Sequence, residues 1–284
     1  MKAVPISTVE AVHSSVDGPD SPRPSDGDAL RPEVAGRDRL IWPALSATLD
    51  QIARSRSPQW PSVLDCGGGS GSLAVPLAVV GARVVVLDIS VDALATLARR
   101  ADEAGVPDRV EGVQGDIEDL GVRSLGEHLP ARPQVDLLLA HGVLAGAEDP
   151  LAVLGRMIAA IVPGGALSVV IANPVAGVLA RAISGDVVGA LGELARHAPR
   201  TSEGDEPVPA VLDAAAIARV CAAEGLVIEI TQGIDVLADL VPGAILESTP
   251  GAVAALARFE QAAARVEPYR SIASRLHLIA RRPG

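Results

Sequence analysis

The chain has 284 residues, 49% of them hydrophobic, and a formal net charge of −11. That is enough apolar material for one large α/β domain or two small ones, while the acidic balance argues against a broad electrostatic footprint on nucleic acid, DNA included. Two cysteines, Cys66 and Cys221, offer no disulfide framework and suit a reducing cytoplasm; with no apolar run of about eighteen residues and no basic-then-apolar leader, neither membrane insertion nor secretion is expected.

Residues 1–33 hold five prolines with several Asp and Ser and no periodicity, which predicts a disordered tail. From Gly36 onward Leu40, Ile41, Leu45, Leu49 and Ile52 recur at helical spacing, with Arg37 and Arg39 in the first turn. A Ser/Pro loop then leads to the stretch that organises the chain. Residues 63–71, Val-Leu-Asp-Cys-Gly-Gly-Gly-Ser-Gly, are a short apolar run ending at Asp65 and breaking into glycines, and residues 72–80 are apolar enough for a short helix. Strand, glycine turn and helix in that order hold nucleotides; a tight βα turn without a ligand is the alternative.

Residues 83–87 form a second buried strand, ending at Asp88-Ile89-Ser90, where Ser90 can N-cap a helix that Gly105 ends. At a strand's carboxyl end, one βαβ unit beyond the glycine turn, Asp88 can accept both hydroxyls of a ribose; a helix-capping role is the alternative. A third strand over 109–113 leads to Asp116-Ile117, again a carboxylate just past a strand end. A fourth, over 135–140, ends at His141-Gly-Val-Leu. Asp149-Pro150 then starts a helix that Pro163-Gly164-Gly165 closes, before a fifth strand over 166–172.

Strand–helix alternation at this spacing predicts a parallel sheet with helices on both faces. Between Asn173 and Leu212 it is interrupted by an apolar helix-like piece and a polar loop over 196–209, a candidate lid. Asp213 caps a further helix ahead of a strand over 226–231. An insertion with a helix over about 251–266 follows, and 275–281 is a closing strand beside the preceding one.

Glycine spacing separates two nucleotide readings. A dinucleotide fingerprint needs glycines at the first, third and sixth positions, and counted from Gly67 the sixth is Ser72. What is present, Asp65-x-Gly67-x-Gly69-x-Gly71, resembles the first motif of class I methyltransferases dependent on S-adenosylmethionine (SAM). SAM carries an ammonium, a sulfonium and a ribose diol, which a carboxylate near the turn suits, and glycines let the main chain pass close to a ligand. With Asp88, Asp116 and the Pro-Gly-Gly turn in place, the resemblance covers about residues 37–283. It implies a doubly wound, mostly parallel, seven-stranded Rossmann-like sheet with an antiparallel last strand. Residues 34–284 would form the methyltransferase domain, with candidate substrate-lid insertions at about 174–211 and 233–272.

More narrowly the chain resembles the bacterial tRNA 5-carboxymethoxyuridine methyltransferase family, which esterifies a wobble-uridine carboxylate. The matching stretches are residues 37–42, His141-Gly-Val-Leu, Asn173, Glu267-Pro-Tyr-Arg with His277, and Ala280-Arg-Arg-Pro. The resemblance implies that Arg37 pairs with the SAM carboxylate, that Gly67 and Gly68 line its methionine, and that Asp88, with Ile89 beside it, holds the ribose. Asp116 and Ile117 would border the adenine. His141 would lie between the methionine and the acceptor; a capping role is its alternative, and the other four histidines are read as structural.

The family carries a strongly basic segment after strand five; here Arg196, His197 and Arg200 are mixed with Glu193, Glu203, Asp205 and Glu206. The sequence shows no metal-ligand cluster, nucleophile–base pair or glycine-serine elbow, so SAM, leaving as S-adenosylhomocysteine, is the one cofactor expected. An anionic acceptor needs no general base, which makes alignment most of the catalysis. Acceptor contacts are expected from His141, Asn173, Arg200, Tyr269 or Arg270. The acceptor is either tRNA or a small molecule, the first predicting a positive strip beside the pocket mouth and the second a roughly drug-sized cavity. A SAM-binding protein without turnover is the third reading.

Overall fold

The computed structural model describes residues 34, 36, 38–56, 59–125, 129–197 and 212–284. Apolar runs bounded by glycine or proline turns become the strands β1 (Ser62–Cys66), β2 (Arg83–Asp88), β3 (Val110–Gln114), β4 (Val135–His141), β5 (Ile161–Ala172), β6 (Val227–Ile234) and β7 (Arg275–Arg281). They form one sheet in the order β3-β2-β1-β4-β5-β7-β6. Among them β7 alone runs opposite to the rest, so its pairings with β5 and β6 are antiparallel and the others are parallel. This is the doubly wound, Rossmann-like arrangement with an antiparallel last strand that the sequence predicts.

Central strands are buried on both faces, so they read as continuous apolar runs. Leu64 and Cys66 of β1, with Leu138 and Ala140 of β4, pack into one core with helices α4 (Pro150–Ala159) and α7 (Ala214–Ala223). Val63, Leu137 and Leu139 point the other way. They pack with α1 (Asp38–Arg56), α2 (Ala74–Val79) and α3 (Val91–Glu103). The helical period of Ile41, Leu45, Leu49 and Ile52 thus became the buried stripe of α1.

Helix starts follow the expected capping chemistry. The Ala93 amide donates to Ser90 Oγ at 3.2 Å, that of Ala152 to Asp149 Oδ1 at 3.1 Å, and that of Ala216 to Asp213 Oδ1 at 2.6 Å. Strand five departs from the expectation, beginning at Ile161 rather than 166. Pro163-Gly164-Gly165 is an irregularity inside it, across which the register jumps from Val135↔Ile161 to Leu137↔Ala166. The reason is hydrogen bonding to the residue that follows β7, because the Gly164 amide donates to Arg282 O at 3.1 Å and the Arg282 amide to Gly165 O at 2.9 Å. The turn's backbone is thereby paired as a strand's would be.

Beyond β5 come α5 (Pro174–Ile183) and α6 (Val187–His197), and between β6 and β7 lie α8 (Gly243–Ser248), α9 (Ala252–Ala263) and α10 (Tyr269–Ile272). The expected tail over 1–33, Arg37, Arg200 and the polar loop from 198 lie outside the described residues. Among the described residues no helix is long and apolar enough to cross a membrane.

The glycine turn is held in place by one close approach. Gly71 has φ +77°, and a Cβ there would run into Leu97 Cδ1 of α3, a fully buried side chain. Gly71→Ala therefore combines a left-handed backbone penalty with overpacking, and is expected to lower unfolding stability by about 2–4 kcal/mol in urea titrations.

Candidate functional site

The carboxyl ends of β1, β2 and β4 open onto two adjoining cavities. The larger, about 540 Å³, is lined by Asp38, Asp65, Gly67, Gly68, His141, Asn173 and Arg275 among others. The smaller, about 410 Å³, is lined by Asp88, Ile89, Asp116, Ile117 and Val143, and shares Gly67, His141 and Gly142 with the first. The three carboxylates singled out in the sequence thus border two cavities with a shared wall, Asp65 the larger and Asp88 and Asp116 the smaller, at the edge where open α/β sheets bind ligands.

Asp65, the last residue but one of β1, is 3% exposed. A Cβ on Gly68 would collide with its carboxylate, so glycine at that position is what lets the acid fold back under the turn. Burial foremost, then the charges of Asp38 and Asp88, raise the Asp65 carboxyl to about 7. Asp88 is anchored differently. Its Oδ2 accepts from the Gly69 amide at 2.9 Å and its Oδ1 from the Ser90 amide at 2.9 Å, which fixes the carboxylate while leaving lone pairs for further donors. Asp116 caps the short 3-10 turn Ile117–Asp119, its Oδ1 accepting from the Glu118 amide at 2.9 Å. Ile117 is buried, whereas Ile89 is largely exposed. The two cysteines are buried thiols, Cys66 pushed well up by burial and by neighbouring Asp65, Cys221 to about 11 by burial.

His141 stands at the end of β4 between the two cavities. Its Nε2 is 2.8 Å from Ser168 Oγ, while its Nδ1 is buried with no hydrogen-bond partner among the described residues. Burial, then His277 and Arg275, hold its pKa well below the ordinary histidine value, so the ring is neutral. Arg275 opens β7; its Nη2 binds Asp235 Oδ2 at 2.8 Å, and its Nε likewise is buried without a partner among the described residues.

The remaining expected residues fare unevenly. Asn173 lines the larger cavity, but its amide is engaged. Its Oδ1 accepts from the Val175 amide at 3.2 Å, and its Nδ2 donates to Ser271 O at 2.9 Å and Ala273 O at 2.7 Å. Tyr269 packs edge-on against Phe259 and Arg270 pairs with Glu267; neither lines either cavity. Sequence reasoning missed Asp38, Arg275, Glu193 and His197, all of which line the larger cavity. Glu193 and His197 had a signal, being four apart on one helix face. Arg275 had none beyond its place at the start of the last strand. Among the described residues no group of three or more His, Cys, Asp or Glu stands close enough to hold a metal ion.

With this geometry in view, residues 64–167 match a family described as a methyltransferase domain. The chain is 27% identical over 247 residues to a tRNA 5-carboxymethoxyuridine methyltransferase of Escherichia coli (strain K12), covering 87% of this chain and 88% of the relative. Over 76 residues it is 42% identical to a release factor glutamine methyltransferase of Chlorobaculum tepidum, covering 25% of this chain and 26% of that protein. Among solved structures, an S-adenosylmethionine dependent methyltransferase from Mesorhizobium loti is 19% identical. It covers 87% of this chain and 100% of that one, with a TM-score of 0.51, a likeness of fold.

Asp65 yields a stability test in the ligand-free protein. Its folded-state pKa is raised from 3.8 to about 7, so its contribution is fully present below pH 4 and is lost as pH rises through 7. Asp65→Asn removes that loss. The variant is expected to melt above the wild type at pH 8, by the equivalent of about 2–4 kcal/mol, with the gap closing in melts recorded toward pH 5.

Proposed function

This chain is a SAM-dependent methyltransferase, and we propose that its acceptor is a carboxylate, for which the wobble 5-carboxymethoxyuridine of tRNA is the candidate. What carries the reading is a pair of buried nitrogens without hydrogen-bond partners among the described residues, His141 Nδ1 and Arg275 Nε, on residues that line one cavity; the guanidinium nitrogen is a donor, and the imidazole nitrogen is one in its Nδ1–H tautomer. Buried unpaired donors are costly in a folded protein, and an anion would satisfy both. The E. coli relative, whose name specifies a carboxymethoxy uridine, supports the same choice.

SAM, when bound, supplies an electrophilic methyl on a sulfonium. The chain's own part is to bind and align. Asp88, pre-set by the Gly69 and Ser90 amides, accepts the ribose hydroxyls. Gly67 and Gly68 bring bare main chain to the methionine side, Asp65 with Asp38 answers the ammonium, and Asp116 with Ile117 edges the adenine. A carboxylate attacks without shedding a proton, so no residue has to act as general base and orientation does most of the catalysis.

A small apolar acid is the second reading, favoured by the apolar side of the larger cavity, lined by Ile41, Leu73, Leu144, Ile171 and Ile234. Arg181 is taken up by Asp186 and Glu193, and Arg196 by Glu193, so these arginines offer little to a phosphate backbone.

Two measurements decide. Calorimetry with S-adenosylhomocysteine is expected to show Asp88→Asn weakening binding roughly thirty-fold or more, the loss of charge-assisted hydrogen bonds worth about 2–3 kcal/mol; unchanged affinity would remove the ribose assignment. With methyl-labelled SAM, base-labile label on tRNA bearing unesterified 5-carboxymethoxyuridine supports the first acceptor, and label on small apolar acids the second. Label on neither sinks the carboxylate reading.

A further inference from the structure

Four residues stand in one row across the sheet. His141 of β4 is in register with Val170 of β5, Val170 with His277 of β7, and His277 with Gln232 of β6. Ser168 lies one pleat along β5, on the same face. Ser168 and His277 are 0% exposed and Gln232 is buried, so every polar atom among them needs a partner from the row or its immediate neighbours.

The donors and acceptors of that row can be assigned. Gln232 Oε1 faces the Arg265 guanidinium, with Nε and Nη2 both at 3.4 Å, and an arginine only donates. The other end of the amide is therefore the NH2 group, which donates to Leu40 O at 3.3 Å and to His277 Nδ1 at 3.1 Å. Burial, then Arg265, lowers His277 to about 3, so its ring is neutral. With Nδ1 accepting, the single proton of that ring is on Nε2, 2.8 Å from Ser168 Oγ. Ser168 accepts that proton's bond, and among the described residues the partner left for its own hydrogen is His141 Nε2, 2.8 Å away. His141 Nε2 is then an acceptor, and the proton of this neutral ring is on Nδ1, the buried atom without a partner among the described residues.

We propose that Gln232, His277 and Ser168 are positioning residues for methyl transfer. They hold His141, which lines both cavities, as its Nδ1–H tautomer, so that it offers a neutral hydrogen-bond donor to a carboxylate that binds there and displaces the atoms now closing Nδ1 off from solvent. Which nitrogen of a histidine carries the proton is set by the bond the other makes, and here that bond is fixed three residues away. The same tautomer serves either of two carboxylates, that of the SAM methionine or that of the acceptor. The presence of a carboxylate rests on the functional reading above; the tautomer does not.

The experiment is a ring-nitrogen correlation spectrum of the full-length, 15N-histidine-labelled protein, with His141 signals identified by their loss in His141→Gln. Expected are a protonated Nδ1 and bare Nε2 on His141, the reverse on His277, and a shift of His141 toward the Nε2–H form in Ser168→Ala. A wild-type His141 in the Nε2–H form, or an unchanged tautomer in Ser168→Ala, overturns the proposal while leaving the methyltransferase reading intact; the wild-type spectrum alone decides should that variant fail to fold. A drop in S-adenosylhomocysteine affinity in Ser168→Ala of roughly fivefold or more, the scale of a neutral hydrogen bond, assigns the donor to the cofactor's carboxylate. A comparable rise in acceptor KM at unchanged S-adenosylhomocysteine affinity assigns it to the acceptor. Unchanged S-adenosylhomocysteine affinity together with unchanged acceptor KM overturns the positioning role.

Discussion

The site depends on one crowded contact, the Asp65 carboxylate folded beneath Gly68. A buried acid at the end of a central strand is an expensive choice, since burial and two neighbouring carboxylates raise it to about 7. Gly68 leaves it the space that a side chain there would occupy, and β2 and β4, paired to β1 on either side, fix the backbone that carries it. The site thus keeps an acidic floor whose charge costs least when a cation lies over it.

The parts of this arrangement that were legible in the sequence were those encoded locally. Asp65, Asp88 and Asp116 each follow an apolar run and precede a glycine or a cap, so one stretch of chain suffices to put each at a strand's carboxyl end. The caps at Ser90, Asp149 and Asp213 are local in the same sense. Strand five was misjudged because Pro163-Gly164-Gly165 is a turn by composition. What makes it strand is a pair of hydrogen bonds exchanged with Arg282, a partner that no window around the turn contains.

The polar row was illegible for the same reason, carried further. His277 reads as one polar residue among Leu276, Leu278 and Ile279, and Gln232 as the edge of a β strand. Only the register of β4, β5, β7 and β6 joins them to His141. A hint was present in β7 itself. In a strand paired on both sides, a histidine between apolar neighbours is buried, and a buried histidine must find partners. Arg275 carried no such hint. Its role emerges from the antiparallel turn-back of the last strand, which sets its side chain beside the end of β4.

The two unmet demands of the cleft are of opposite sign, and that bears on the chemistry proposed for it. A sulfonium meeting a carboxylate loses both charges on the way to thioether and ester, so the barrier is lowest where water does not stabilise the separated ions. A wall that gripped the carboxylate with a full positive charge would stabilise the reactant along with the transition state and give some of that advantage back. The two proposed donors limit that cost: the charge of Arg275 is already balanced by Asp235 at 2.8 Å, and neutral imidazole adds a hydrogen bond without a charge. Burial lowers the pKa of His141 and, with Arg265, that of His277, so protonating either ring is costly. The buried row across β5, β7 and β6 thus matters less for supplying a donor than for keeping that donor uncharged.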